Sequence, residues 1–316
     1  MWDENSTGSG INGAEVLRRS VCLELKASSI GTLRKVSTDQ VEVTPDSGEV
    51  LAKADKTLLR VSKRILDSEE LRKIVSHVSS TRINLRFYAI PTSVFRYGCY
   101  GIPLGCVDRV DAMLQDASRK FNALVTDFIA AYPTLVKEAA ERLGELYNPG
   151  DYKTVDEVRG VFKFEYGYST FDVPSTLQGI SSALFERERV KATAKWQEAG
   201  VEIRDAMRTG FAEMVDQMVG ILTPGEDGKT KRFKRSSVDG FKEFLSTFES
   251  RNITDDAELS SLVNKARKIL DGASIDSIRG DQPIRERLLE RFAEVKDAVA
   301  PMVVVARREI HFDDEV

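Results

Sequence analysis

The chain has only two histidines and three cysteines in 316 residues, and that scarcity removes most side-chain chemistry. A Ser/His/Asp or Cys/His triad would have to use His77 or His311, and nothing in the sequence brings a nucleophile to either. Cys22, Cys99 and Cys106 are odd in number and widely spaced, so they form no disulfide framework, and reduced thiols in a cytoplasm are the simple reading. Cys99 and Cys106 have no companion Cys or His pair, which leaves no zinc site in the spacing. Long apolar runs are missing too. None approaches the ~20 residues that span a bilayer, and Met1 to Gly13 is polar, without the apolar core of a signal peptide. A formal net charge of -4 gives no global attraction to nucleic acid or anionic lipid, so such binding needs a local basic patch. Neither an enzyme activity nor a metal or cofactor is expected.

What is present is amphipathic helix. Hydrophobic residues make up 41% and charged residues 30%, a balance suited to long helices with solvated faces. Val107, Val110, Leu114, Ala117, Phe121, Leu124, Phe128 and Ala131 recur at alternating steps of three and four, the pattern of a helix packed along a seam. Pro133 is expected to interrupt or kink that helix before Leu135, Ala139, Leu143 and Leu146 resume the stripe up to Asn148-Pro149-Gly150. A second run from about Leu177 to Leu222 carries Trp196, Ala199, Ile203, Met207, Phe211, Met214 and Met218 on one face, with a polar middle around Glu186 to Lys191. Pairing the two runs predicts a mostly α fold, an elongated antiparallel, coiled-coil-like hairpin. Between them, Val161 to Tyr168 reads as a strand near the hairpin tip with Phe162, Phe164, Tyr166 and Tyr168 on one face.

The rest divides around that hairpin. Residues 1–13 read as a flexible leader, 14–105 as a mixed segment with strand and helix, 106–222 as the hairpin, and 223–316 as a small helical bundle with a tail. In the mixed segment, Ser20 to Lys26 alternates as a strand, Asp67 with Glu70 starts a helix, and Tyr88 to Gly105 is rich enough in Pro and Gly to be an ordered loop. In the last segment, helices are predicted from about Ser237 to Phe248, from Asp255 with Glu258 to before Gly272, and from Ile284 to Val299, ending at Pro301.

Two clusters could contact a partner. Lys229, Lys231, Arg232, Lys234 and Arg235 surround Phe233 in the densest basic run, which could neutralise phosphates or acidic side chains or simply be a solvated loop. The aromatic face of Phe162, Phe164, Tyr166 and Tyr168 could stack bases, although packing onto helices is the favoured reading. Gly225 to Thr230 lacks the spacing and the preceding strand of a phosphate-binding loop.

In order and texture the chain resembles an uncharacterised family of helical proteins, a domain of unknown function encoded by phages and mobile elements, often beside MoxR-type AAA+ ATPases and von Willebrand A-domain proteins. The resemblance rests on Val61-Ser62-Lys63-Arg64-Ile65-Leu66-Asp67, the Tyr88-to-Pro103 loop, the helix with Phe121 and Phe128, Val158 to Tyr168, Arg232 to Val238, Asn252 to Asp256, and Ile284-Arg285-Glu286-Arg287. It implies a non-catalytic assembly or adaptor protein in the host cytoplasm, working with such an ATPase and A-domain partner. A nucleic-acid-binding protein using the basic loop is the alternative. A helical pore former is a remote third, opposed by Lys163 and Glu165 within the strand. A homo-oligomer is compatible with each.

Overall fold

The computed structural model describes residues 11–37, 60–91, 97–170, 173–225, 235–273, 278 and 280–303. A short helix α1 (Gly13–Arg18) leads into strand β1 (Ser20–Ser28). Strands β2 (Leu33–Val36) and β3 (Val61–Arg64) precede α2 (Glu69–Tyr88), and β4 (Cys99–Pro103) precedes the long α3 (Val107–Leu143). Then come α4 (Val155–Val161), β5 (Lys163–Ser169), α5 (Thr176–Ile180), α6 (Ser182–Leu222), α7 (Arg235–Arg251), α8 (Ala257–Leu270) and α9 (Gln282–Val299). The chain is mostly helical with a small sheet, as the apolar periodicity predicts. One sheet has the order β4-β1-β5, and β2 and β3 form a separate two-stranded ribbon. No described helix is long and apolar enough to cross a membrane.

The molecule divides into two compact units that are discontinuous in sequence, where contiguous segments were expected. The first comprises Met1–Leu23, Tyr88–Asp108 and Tyr168–Val316, and the second comprises Glu24–Phe87 and Arg109–Gly167. In the second unit Phe121, Val125, Phe128, Ile129 and Tyr132 of α3 pack with Ile65 and Leu66, with Leu71 and Ile74 of α2, and with Val158 and Phe162. In the first unit α1 and α9 lie against α6, and α7, α8 and α9 pack on one another. A chain of rings, with Phe211 6.0 Å from Phe244 and Phe241 5.8 Å from Phe292, joins those helices.

These contacts do not bear out the pairing of one long helix against the other. The seam of each is covered by shorter elements of its own unit, because a three-four stripe specifies that a face is buried and leaves open what covers it. Pro133 lies inside α3, which continues to Leu143. Proline removes one backbone hydrogen bond, and the packing of Phe128, Ile129 and Tyr132 beside it outweighs that loss. Tyr88 to Gly105, expected as a loop, contains β4, with Tyr100 and Ile102 buried. The second run breaks at Ser181, whose hydroxyl caps α6 by accepting the Leu184 amide at 3.2 Å.

The expected leader is docked at its end. Ile11 is buried, and the Gly13 amide donates to the Gln197 side chain at 2.8 Å. A Cβ on Gly13 would lie 2.5 Å from the Gln197 backbone nitrogen, so this is a backbone-to-backbone approach that only glycine allows. Gly13→Ala is therefore expected to destabilise the first unit by about 1–3 kcal/mol, read as a lower urea midpoint at unchanged slope. Gly210→Ala, where a Cβ meets nothing within 4 Å, should not lower it.

Candidate interaction surface

Of the basic run, Lys229, Lys231, Arg232, Phe233 and Lys234 lie outside the described residues. Arg235 is the first residue of α7, exposed, with its guanidinium 3.6 Å from Asp239 one turn on. All four aromatic residues of the strand face lie within the described residues. Phe162 is buried with its ring edge-on to Phe128 at 5.4 Å, and Phe164 tilts against Phe121 at 5.4 Å. Tyr166 is half-buried, and burial, helped by the Asp111 charge, pushes its phenol pKa up. Tyr168 is exposed at the strand's end. Phe162 is thus a core residue of the second unit, and half-buried Phe164 packs against the same core. Among the described residues no group of His, Cys, Asp and Glu is placed to hold a metal ion. His77 turns its Nε2 to the Ala117 carbonyl at 2.8 Å, a packing contact between α2 and α3. His311 and most of the Gly225 to Thr230 turn lie outside the described residues.

Sequence reasoning passed over two features of α6. The first is its N-terminal third. From Trp196 onward this helix buries nine residues, yet Ser182 to Lys195 has none buried, and neither does α5. The apolar stripe nonetheless continues into this region as Leu184, Phe185 and Ala192, all half-buried. Ile180 is 77% exposed and Val190 57%. An isolated helix this short is marginal in water, so something local must hold it. The Ser181 cap and continuity with the packed part of α6 contribute. So do ion pairs one turn apart, Arg189 to Glu186 at 2.6 Å and Lys191 to Glu188 at 3.1 Å. The Arg189 hydrogen bond holds the Glu186 carboxyl below its usual range, and that from Lys191 does the same for Glu188. The result is an amphipathic helical arm with apolar side chains still accessible, flanked by charges of both signs.

The second feature is a buried ion pair midway along the packed stretch. Arg208 of α6 grips Asp256 through Nε at 2.6 Å and Nη2 at 3.0 Å, and its Nη2 also reaches Glu258 at 3.1 Å. Asp256 is the N-cap of α8 and accepts the Leu259 amide at 3.0 Å. The sequence places the cap at Asp255, but that residue sits at φ 52, and the capping carboxylate is its neighbour. Asp255 instead meets Arg19 at 2.6 Å, which ties the end of α1 to the α7–α8 turn. A cleft of about 330 Å³ lined by Asn12, Glu15, Arg204, Arg208 and Asp255 lies beside this cluster. Its charges are all paired, Arg208 with Asp256 and Glu258, Arg204 with Asp205, and Glu15 and Asp255 with Arg19, which makes it a structural clamp.

No family model matches the chain, and neither a curated protein nor a solved structure does.

Proposed function

We propose that the protein is a non-catalytic adaptor or assembly factor of a phage or mobile element, acting in the cytoplasm with a MoxR-type AAA+ ATPase and a von Willebrand A-domain protein. The resemblance of its motifs supplies the partners. The observation that carries the binding role is the arm formed by α5 and Ser182 to Lys195, where an apolar stripe runs on past the end of its own core. A helix in that state suits capture by a groove or by another amphipathic helix, since apolar anchors at helical spacing are what such partners bury. Ile180, at the end of α5, and Val190, on the side of α6 away from Ala192, are exposed and add anchors outside that stripe, and the ion pairs Arg189–Glu186 and Lys191–Glu188 would form the polar rim. In this reading the arm supplies the long-helix surface that the expected hairpin was to offer.

The test is co-purification with the ATPase and the A-domain protein. Ile180→Asp with Val190→Asp is expected to weaken capture of one of them by at least about tenfold, the range for losing interface anchors. Its thermal melt should match the wild type, because both side chains are already exposed. Unchanged capture by the double variant, or no capture by the wild type, would remove this function.

A further inference from the structure

On the second unit, the β2–β3 ribbon turns a row of cations outward. Its antiparallel register sets Leu33 opposite Arg64 and Lys35 opposite Ser62, and these four residues are exposed. The alternate positions are the less exposed ones: Val36 is buried, and Arg34, Val61 and Lys63 are half-buried. Arg60, exposed and two residues before Ser62, continues the outward set. The inward cations are already engaged. Lys63 meets Asp151 at 2.6 Å with both side chains largely out of solvent, and Arg34 donates to the Gly31 and Leu33 carbonyls at 3.0 Å.

The outward cations are not. Lys35 and Arg60 make no ion pair among the described residues. Arg64 approaches Asp67 only at 4.0 Å, and Arg72 holds that carboxylate at 2.7 Å. Arg142, near the end of α3, lines the same cleft of about 450 Å³ as Leu33, Ser62 and Arg64, together with Glu138 and with Asp67, which it approaches at 4.0 Å. Like charges gathered on one strand face repel, and on a chain of net charge -4 such a face has no general cause.

We propose that this ribbon face docks on the phosphate backbone of duplex nucleic acid, with Lys35, Arg60 and Arg64 as the phosphate contacts and Arg142 at the flank. The charge is complementary, and so are the dimensions. Arg60 and Arg64 stand about 13 Å apart along an extended strand, close to the ~12 Å width of a major groove, which admits a two-stranded ribbon. An acidic protein surface is the weaker fit. Protein interfaces centre on desolvated apolar or aromatic anchors, and among the described residues of the ribbon's outward face Leu33 is the one apolar side chain, beside Ser62 and the cations. The proposal uses none of the residues of the helical arm or of the Lys229 to Arg235 run, so it stands or falls independently of the adaptor function.

The experiment titrates the full chain into a labelled duplex of about 20 base pairs at ~50 and ~200 mM salt. The wild type is expected to bind, more weakly at the higher salt. The triple variant Lys35→Ser, Arg60→Ser, Arg64→Ser is expected to lose at least about tenfold in affinity and up to about three in the salt slope. Its melt should match the wild type, and Lys231→Ser with Arg232→Ser and Lys234→Ser should still bind. Four results would overturn the assignment: no binding by the wild type at low salt, a triple variant equal to wild type, loss of binding in the Lys231 variant, or competition by polyglutamate as effective as by unlabelled duplex.

Discussion

Phe121→Asp is expected to unfold the second unit. Phe121 is 1% exposed and its ring meets Phe164 at 5.4 Å in a cluster that also holds Phe128, Ile74 and Phe162. Losing the ring alone costs about 3–5 kcal/mol, and the new carboxylate finds no cation among its apolar neighbours, which adds a desolvation penalty of several kcal/mol. Together these match the whole stability of an ordinary domain, about 5–15 kcal/mol. Glu141→Ala, on the exposed side of the same helix, should stay within about 0.5 kcal/mol of wild type. Thermal melts followed by circular dichroism make the comparison, and equal melts for the two variants would show that α3 buries a different face.

The second large effect is expected at Asp256, whose side chain is 3% exposed against 15% for Arg208. Asp256→Ala removes a helix cap and leaves a largely buried guanidinium with Glu258 alone, a loss of about 3–5 kcal/mol. Asp256→Asn keeps the acceptor for the Leu259 amide and should lie between alanine and wild type. The pair also predicts a pH dependence. Burial pushes the Asp256 carboxyl up, but the Arg208 hydrogen bonds and the Leu259 amide outweigh it, and the net pKa falls below the ordinary 3.8. A lowered folded-state value means that the stabilisation is complete above that ordinary value and is lost as pH falls through the folded one. The acid limb of the first unit's stability should accordingly flatten in Asp256→Asn. An acid limb as steep as the wild type's would mean that another carboxylate controls acid unfolding.

Helix existence was legible where apolar spacing and caps agree. α9 shows both, with the Asp281 carboxylate accepting the Ile284 amide at 3.0 Å and Leu288, Phe292 and Val295 buried along one side. Partner choice was not legible, because Phe121 and Phe211 announce burial in the same way, yet one meets Phe164 of a strand and the other Phe244 of a helix. Turn-forming composition misled at Tyr88 to Gly105, where buried Tyr100 and Ile102 hold a strand between its glycines and prolines. On the functional side, adjacency in sequence drew the eye to Lys229 to Arg235. Lys35 and Arg60 lie on either side of a long segment and become one surface only through the Leu33–Arg64 register. The arm's polar stretch from Glu186 to Lys191 was legible, but its accessible apolar side chains were not, for the opposite reason. Leu184 and Phe185 continue the pattern of a buried helix, and only their exposure sets them apart.

The discontinuity of the two units sets an order of events during synthesis. Domains generally fold as units while the chain emerges. All elements of the second unit are present once Gly167 has been made, whereas α1 finds the Gln197 side chain that receives the Gly13 amide only after α5 and the start of α6 have followed. Ile11 and α1 must therefore wait for their place on α6 while the nested unit forms. Any contiguous fragment that keeps α1 on α6 must also carry the whole of the second unit, but a fragment limited to residues 24–167 leaves out α6 to α9. Proteolytic nicking between the units would thus leave three separate pieces of the first unit, held only by their packing, and one nested unit in two.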